Sequence, residues 1–109
     1  MRNNFEIFIH SKNKENRRFT VCAKSQQIDF ERCIVSFSIS YCNEEDNFSK
    51  RIGRNICLGR IEAKKCRNQE VLITDKLYTQ VKETLHKMAT VASEMKTKSI
   101  EFHIINTIK

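Results

Sequence analysis

Cys33-Ile34-Val35-Ser36-Phe37-Ser38-Ile39-Ser40-Tyr41 is the stretch whose reading decides the fold. Cys33, Val35, Phe37, Ile39 and Tyr41 fall on one side of an extended chain, and Ile34, Ser36, Ser38 and Ser40 on the other. Alternation with period two is the mark of a β-strand with one apolar face, as in an antiparallel sheet covered on one side. Outward from it, Phe19, Val21 and Ala23 alternate with Thr20, Cys22 and Lys24, and Phe5, Ile7 and Ile9 with Glu6, Phe8 and His10. These are two further strands, separated by a polar hairpin loop at 11–18 and a turn at 25–31.

The pattern then changes to a helical period. Asn43-Glu44-Glu45-Asp46-Asn47 offers N-caps and first-turn acids, which complement a helix dipole. Phe48, Ile52, Ile56, Gly59 and Ala63 follow; at 100° per residue they fall within an arc of about 80° and predict the packing seam of a first helix. Residues 68–73 read as a short linker, with an extended stretch at Val71-Leu72-Ile73. Thr74 or Asp75 can cap a second helix whose seam is Leu77, Val81, Leu85, Met88, Ala92 and Met95. A last strand is predicted at 100–108. The expectation is one α+β domain spanning 1–109, in the order strand, strand, strand, helix, helix, strand, with both helices on one face of an antiparallel sheet.

The chain has 109 residues, no proline and two glycines. That composition excludes collagen-like, proline-rich and glycine-linker classes. Both glycines precede arginine, in Gly53-Arg54 and Gly59-Arg60. A helical glycine costs about 1 kcal/mol relative to alanine, so each needs a reason. Gly59 lies in the predicted seam and reads as a packing position. Gly53 lies among cations, where a missing side chain serves either close packing or the approach of a ligand.

The charge is local. Lys50, Arg51, Arg54, Arg60, Lys64, Lys65 and Arg67 face Glu62 alone, so 50–67 carries +6 of the chain's +7. A concentrated positive segment attracts phosphate-bearing partners. Arginine at 54 and 60 adds a planar fork that binds phosphate oxygens in pairs and stacks on a base. Lys50 and Arg51 extend this patch toward the helix N-terminus, and Lys64 continues it at the other end.

Catalysis is poorly supported. The one acidic cluster is a contiguous run that serves as a helix start, and no phosphate-cradling glycine loop, nucleophile elbow or zinc-binding histidine helix is present. Five cysteines without Cys-x-x-Cys spacing, and three scattered histidines, read as reduced thiols in a cytoplasmic protein and not as a metal site. Cys57 sits in an electropositive helix but has no histidine near it in sequence, so it is not read as a nucleophile. No cofactor is expected, and no segment has the character of a signal peptide or membrane span.

Cys42, Asp46, Phe48, Lys50, Gly53-Arg54, Ile56 and Gly59-Arg60 together resemble a pattern of the phage Thoeris anti-defence sponges of the first type, with Cys57 where that pattern carries alanine. The close resemblance covers about 20 residues. It implies a non-enzymatic protein of the host-cell cytoplasm that sequesters a cyclic ADP-ribose immune signal, or a cyclic oligonucleotide, without cleaving it. It also implies a homo-oligomer, a dimer or a trimer of dimers, with ligand pockets at subunit interfaces. Lys50, Arg54 and Arg60 stand in the matching phrase and carry over as phosphate contacts. On the last strand Phe102 and His103 are the candidates for completing a pocket, although Phe102 reads first as a core aromatic. Two alternatives stand beside this reading. One is a nucleic-acid-binding module or CRISPR-complex inhibitor that uses the basic helix on a phosphate backbone. The other is an assembly protein whose basic helix meets an acidic partner.

Overall fold

The computed structural model describes residues 3–42 and 49–94. β1 (Phe5–Lys12), β2 (Arg18–Gln27), β3 (Arg32–Tyr41) and β4 (Arg67–Leu72) form one antiparallel sheet in the order β1-β2-β3-β4, with helices α1 (Lys50–Glu62) and α2 (Leu77–Ser93). The α+β class is as expected. The order of elements differs, because the stretch expected as a linker at 68–73 is largely β4, a strand between the two helices. Its register, Arg67 opposite Phe37 and Val71 opposite Cys33, places it on the edge of β3. The strand expected at 100–108 lies outside the described residues.

The helices do not share a face. In the register of the sheet Val21 lies opposite Ile39 and Ala23 opposite Phe37, while Thr20 lies opposite Ser40 and Cys22 opposite Ser38. Successive side chains point to opposite faces, so the sheet has an apolar side and a hydroxyl-and-thiol side. α2 covers the apolar side. It buries Leu77, Val81, Leu85, Met88, Ala89 and Ala92 against Ile7, Phe19, Val21, Ala23, Val35, Phe37 and Ile39. This is the predicted seam of the second helix with Ala89 added; Met95 lies outside the described residues. The N-cap is Lys76, with no side-chain capping bond, and neither Thr74 nor Asp75 as expected; the Thr74 hydroxyl accepts the Lys76 N–H in the turn before the helix.

α1 lies on the other side, over β2 and β3, and its only buried residue is Cys57. Thr20, Ser36, Ser38 and Ser40 are nonetheless buried on that side. The serines of β3 therefore line a second, polar joint instead of facing water. Ser38 Oγ donates to the Cys57 carbonyl (2.8 Å) and Ser40 Oγ to that of Gly53 (3.2 Å). Hydroxyls can satisfy helix carbonyls only if the helix comes close, which requires small residues facing the sheet.

The facing residues of α1 are accordingly Gly53 and Cys57, roughly a third of a turn from the expected seam. Ile52 and Ile56 of that seam are 58% and 41% exposed. The two glycines exchange roles as a result. A Cβ on Gly53 would stand 2.2 Å from Thr20 Oγ1, whereas one on Gly59 would meet nothing within 4 Å.

α1 starts later than its acidic prelude suggests. Ser49 is the N-cap, its hydroxyl accepting the Ile52 N–H; the caps expected at 43–47 lie outside the described residues. At the other end Lys64 takes a left-handed conformation (φ 59°). Its N–H bonds the Ile61 carbonyl and the N–H of Lys65 that of Arg60, the paired bonds that close a helix. The basic segment is thus a helix, a turn and the start of a strand. Among the described residues no helix is long and apolar enough to cross a membrane.

Candidate functional site

Because α1 lies over β2 and β3, the side chains of β1 on the same face flank it. Glu6, Phe8 and His10 point to this face, opposite Lys24, Cys22 and Thr20. Phe8 and His10 are half-buried. The N-terminal half of α1 brings cations to them. The Arg54 guanidinium lies over the Phe8 ring, 5.9 Å from its centroid, within cation–π range. His10 Nδ1 shares a hydrogen bond with the Thr20 hydroxyl (2.8 Å), the same hydroxyl against which Gly53 packs. A glycine, a threonine, a histidine and an aromatic ring thus form one contact chain from α1 to β1.

The charge is positive at the His10 end of this shelf, while Glu6, further along the same face, pairs with Lys24 (4.0 Å). Burial first, then the charges of Lys50 and Arg54, hold His10 below its ordinary 6.5, so the imidazole is neutral at pH 7. The first turn of α1 contains no acid. Lys50 and Arg51 therefore stand at the positive end of the helix dipole, a placement unfavourable by a few tenths to 1 kcal/mol each. Cations set against the dipole beside a neutral histidine leave a field suited to an anion. A planar ring under the guanidinium adds a stacking surface.

Of the residues the sequence proposed, the structure brings Arg54 over Phe8, and the charges of Lys50 and Arg54 both act on His10. Arg51 is exposed and stands one position further round the helix. Arg60 goes elsewhere: its guanidinium donates to the Ile39 carbonyl, on the part of β3 that continues past its pairing with β4. It joins α1 to the opposite strand from the one Arg54 approaches. Lys64 is exposed, and at 1.5 Å per residue it lies roughly 20 Å along the axis from Lys50. The seven cations therefore do not form one patch. Phe102 and His103 lie outside the described residues.

Phe8 and His10 were not legible as site residues. In sequence they are the alternate positions of a strand, and only the placement of α1 pairs them with Arg54. A shallow depression of about 450 Å³ lies at the other end of the sheet, lined by Asn4, Gln27, Ile28, Asp29 and Phe30. Its one charged group is a carboxylate, so its chemistry does not suit an anion. Among protein-family models, curated proteins and solved structures, the chain finds no match.

Proposed function

We propose that the chain is a binding protein for a small phosphate-bearing nucleotide, held on the shelf formed by Phe8, His10, Lys50 and Arg54. The observation that carries this is the Arg54 guanidinium over the Phe8 ring, with Lys50 and neutral His10 beside it. Cations supply phosphate contacts and the ring supplies a stacking surface. A cyclic nucleotide of the ADP-ribose type, which the sequence resemblance implies, presents both features. The proposed role is capture without cleavage, the cations neutralising the phosphates and Arg51 contributing at the rim. A shelf contacts one side of such a ligand, and a second copy of the chain would supply the other, in a dimer or a larger homo-oligomer.

The test is retention of a cyclic nucleotide by the purified chain and its recovery after heat denaturation. The ligand should return chemically intact, and a hydrolysed product would replace this reading with an enzymatic one. Arg54→Ala and Lys50→Ala should each weaken binding about 10- to 100-fold, the scale of one charge-assisted hydrogen bond. Arg60→Ala should affect binding less than either. One observation favours a second reading: a half-exposed ring beside cations also suits a single-stranded nucleic acid. The two part on salt. A nucleic acid gives a steep, length-dependent loss of affinity with salt, and a small cyclic ligand a shallow one.

A further inference from the structure

Two apolar features lie outside both the core and the shelf. The first is Phe30, 98% exposed at the tip of the turn between β2 and β3. The turn that carries it is braced on both sides. Asp29 Oδ1 accepts the N–H groups of Glu31 and Arg32 (2.8 Å each), and Asp29 Oδ2 takes the Arg32 guanidinium (2.9 and 2.7 Å), which also reaches Glu70 (2.8 Å). A ring held outward on a fixed support adds nothing to the fold and has little freedom left to lose on contact. Ile28 in the same turn and Leu72 at the end of β4 are exposed as well. β4 ends beside this turn, the Ile73 N–H bonding the Glu31 carbonyl (2.7 Å).

The second is the flank of α1 that holds Ile52, Ile56, Gly59 and Ala63, all exposed. At 100° per residue they fall within about 60°, and Ile52 lies about 200° from Arg54, so this flank is the one turned away from the shelf. Gly59 leaves a notch in it, since a Cβ there would meet nothing within 4 Å. Glycine weakens a helix, and no neighbour within the chain requires this one. The two features carry opposite charge. Around the tip, in 28–32 and 70–76, Asp29, Glu31, Glu70 and Asp75 face Arg32 and Lys76, a net −2 on a chain of +7. The flank lies in the +6 segment, with exposed Arg51 near its start and exposed Lys64 and Lys65 at its end. Tip against tip or helix against helix sets like charges together, whereas tip against helix brings opposite charges to the rim of an apolar contact.

We propose that the Phe30 tip of one copy of this chain docks on the Ile52–Ala63 flank of α1 in a second copy, the ring seated in the Gly59 notch and the carboxylates of the tip turned toward Lys64 and Lys65. The two patches differ, so the contact runs head to tail and repeats from copy to copy, into a ring where the rotation closes and an open chain where it does not. Neither patch includes Phe8, His10 or Arg54, and the contact leaves the shelf open. A few exposed apolar side chains place it at the weak end of protein interfaces, below about 1,200 Å² of buried surface. It therefore forms and dissolves with concentration.

The experiment is sedimentation velocity of the full chain without nucleotide, from about 10 μM to about 1 mM, the range of weak complexes. The average mass should rise with concentration, and rise less at high salt, which screens the charged rims. Phe30→Asp and Ile52→Asp should each abolish the rise while keeping the thermal midpoint near that of the parent, since both side chains are exposed. Mixing the two variants is the decisive step. One retains an intact flank and the other an intact tip, so the mixture should form a one-to-one dimer and nothing larger. Gly59→Ala guards against misfolding as the cause: it should raise the thermal midpoint yet weaken association about tenfold, because a methyl group fills the notch. A chain still monomeric at the highest concentration, association unchanged by either Asp variant, or a mixture that gives no dimer would overturn the proposal. None of these outcomes depends on nucleotide binding, so failure here leaves the shelf reading untouched.

Discussion

On one face of the sheet α2 buries Leu77, Val81, Leu85, Met88, Ala89 and Ala92 against the apolar side chains of β1, β2 and β3. On the other, α1 buries Cys57 over a row of hydroxyls. The first joint is held by area removed from water, about 25 cal/mol per Å². The second is held by specific hydrogen bonds from Ser38, Ser40 and Cys57, each contributing on the order of 1 kcal/mol. Stability is thus concentrated under α2, while α1 is positioned by geometry. The difference also explains where the cations are. A helix that needs no apolar face can give its flanks to Lys50, Arg54 and Arg60.

The largest effect should come from the apolar joint. Leu85 is fully buried in the core cluster, and Leu85→Ala should lower stability by about 2–5 kcal/mol, read as a fall in the denaturant midpoint. A loss under 1 kcal/mol would mean that α2 does not carry the core. Next comes the polar joint. Gly53→Ala places a methyl 2.2 Å from Thr20 Oγ1, and Thr20 is short, branched and bonded to His10. Helix propensity gains about 1 kcal/mol from the change, but overpacking of about 1–3 kcal/mol should exceed it. Net destabilisation is expected, together with a shift of the His10 imidazole resonances. Stabilisation with unmoved His10 signals would show that α1 stands further from the sheet.

Why the second helix was legible and the first was not follows from the same contrast. Apolar periodicity marks a buried face only when the burying surface is apolar, and Leu77, Val81, Leu85, Met88 and Ala92 meet such a surface. In α1 the periodic residues are Ile52 and Ile56, which remain largely exposed, and the buried face is marked by a glycine and a cysteine. A signal for it did exist. Ser36, Ser38 and Ser40 recur on one side of β3, and small hydroxyl residues in a row are what a closely packed glycine-bearing helix requires. β4 escaped because Arg67, Asn68, Gln69 and Glu70 are polar while their alternation is weak, as befits an edge strand. The shelf depends on Phe8 and His10 meeting Arg54, a tertiary fact no local pattern contains.

A change of opposite sign sharpens the comparison within α1 itself. Gly59 faces open space, so Gly59→Ala should stabilise the chain by about 1 kcal/mol through helix propensity alone. The pair Gly53→Ala and Gly59→Ala thus reads out the rotation of α1, one losing stability and the other gaining it in the same thermal melt. Equal responses would mean that neither glycine faces the sheet.

The smallest effect is a titration. His10 is held below 6.5 in the folded chain, first by burial and then by Lys50 and Arg54. In the unfolded chain it takes its proton near 6.5. Between those two values the unfolded state binds more protons, so stability rises with pH across the window. It is fully present above 6.5 and is lost as pH falls through the folded value. NMR of the imidazole should find the folded midpoint below 6.5. The variants Lys50→Gln and Arg54→Gln should move it up but not fully back, since burial remains. A bound phosphodiester should also move it up, because an anion offsets the two cations; binding then takes up part of a proton, and affinity should increase as pH falls below 6.5. His10 titrating at or above 6.5 in the unliganded chain would place the cations away from β1 and remove the shelf.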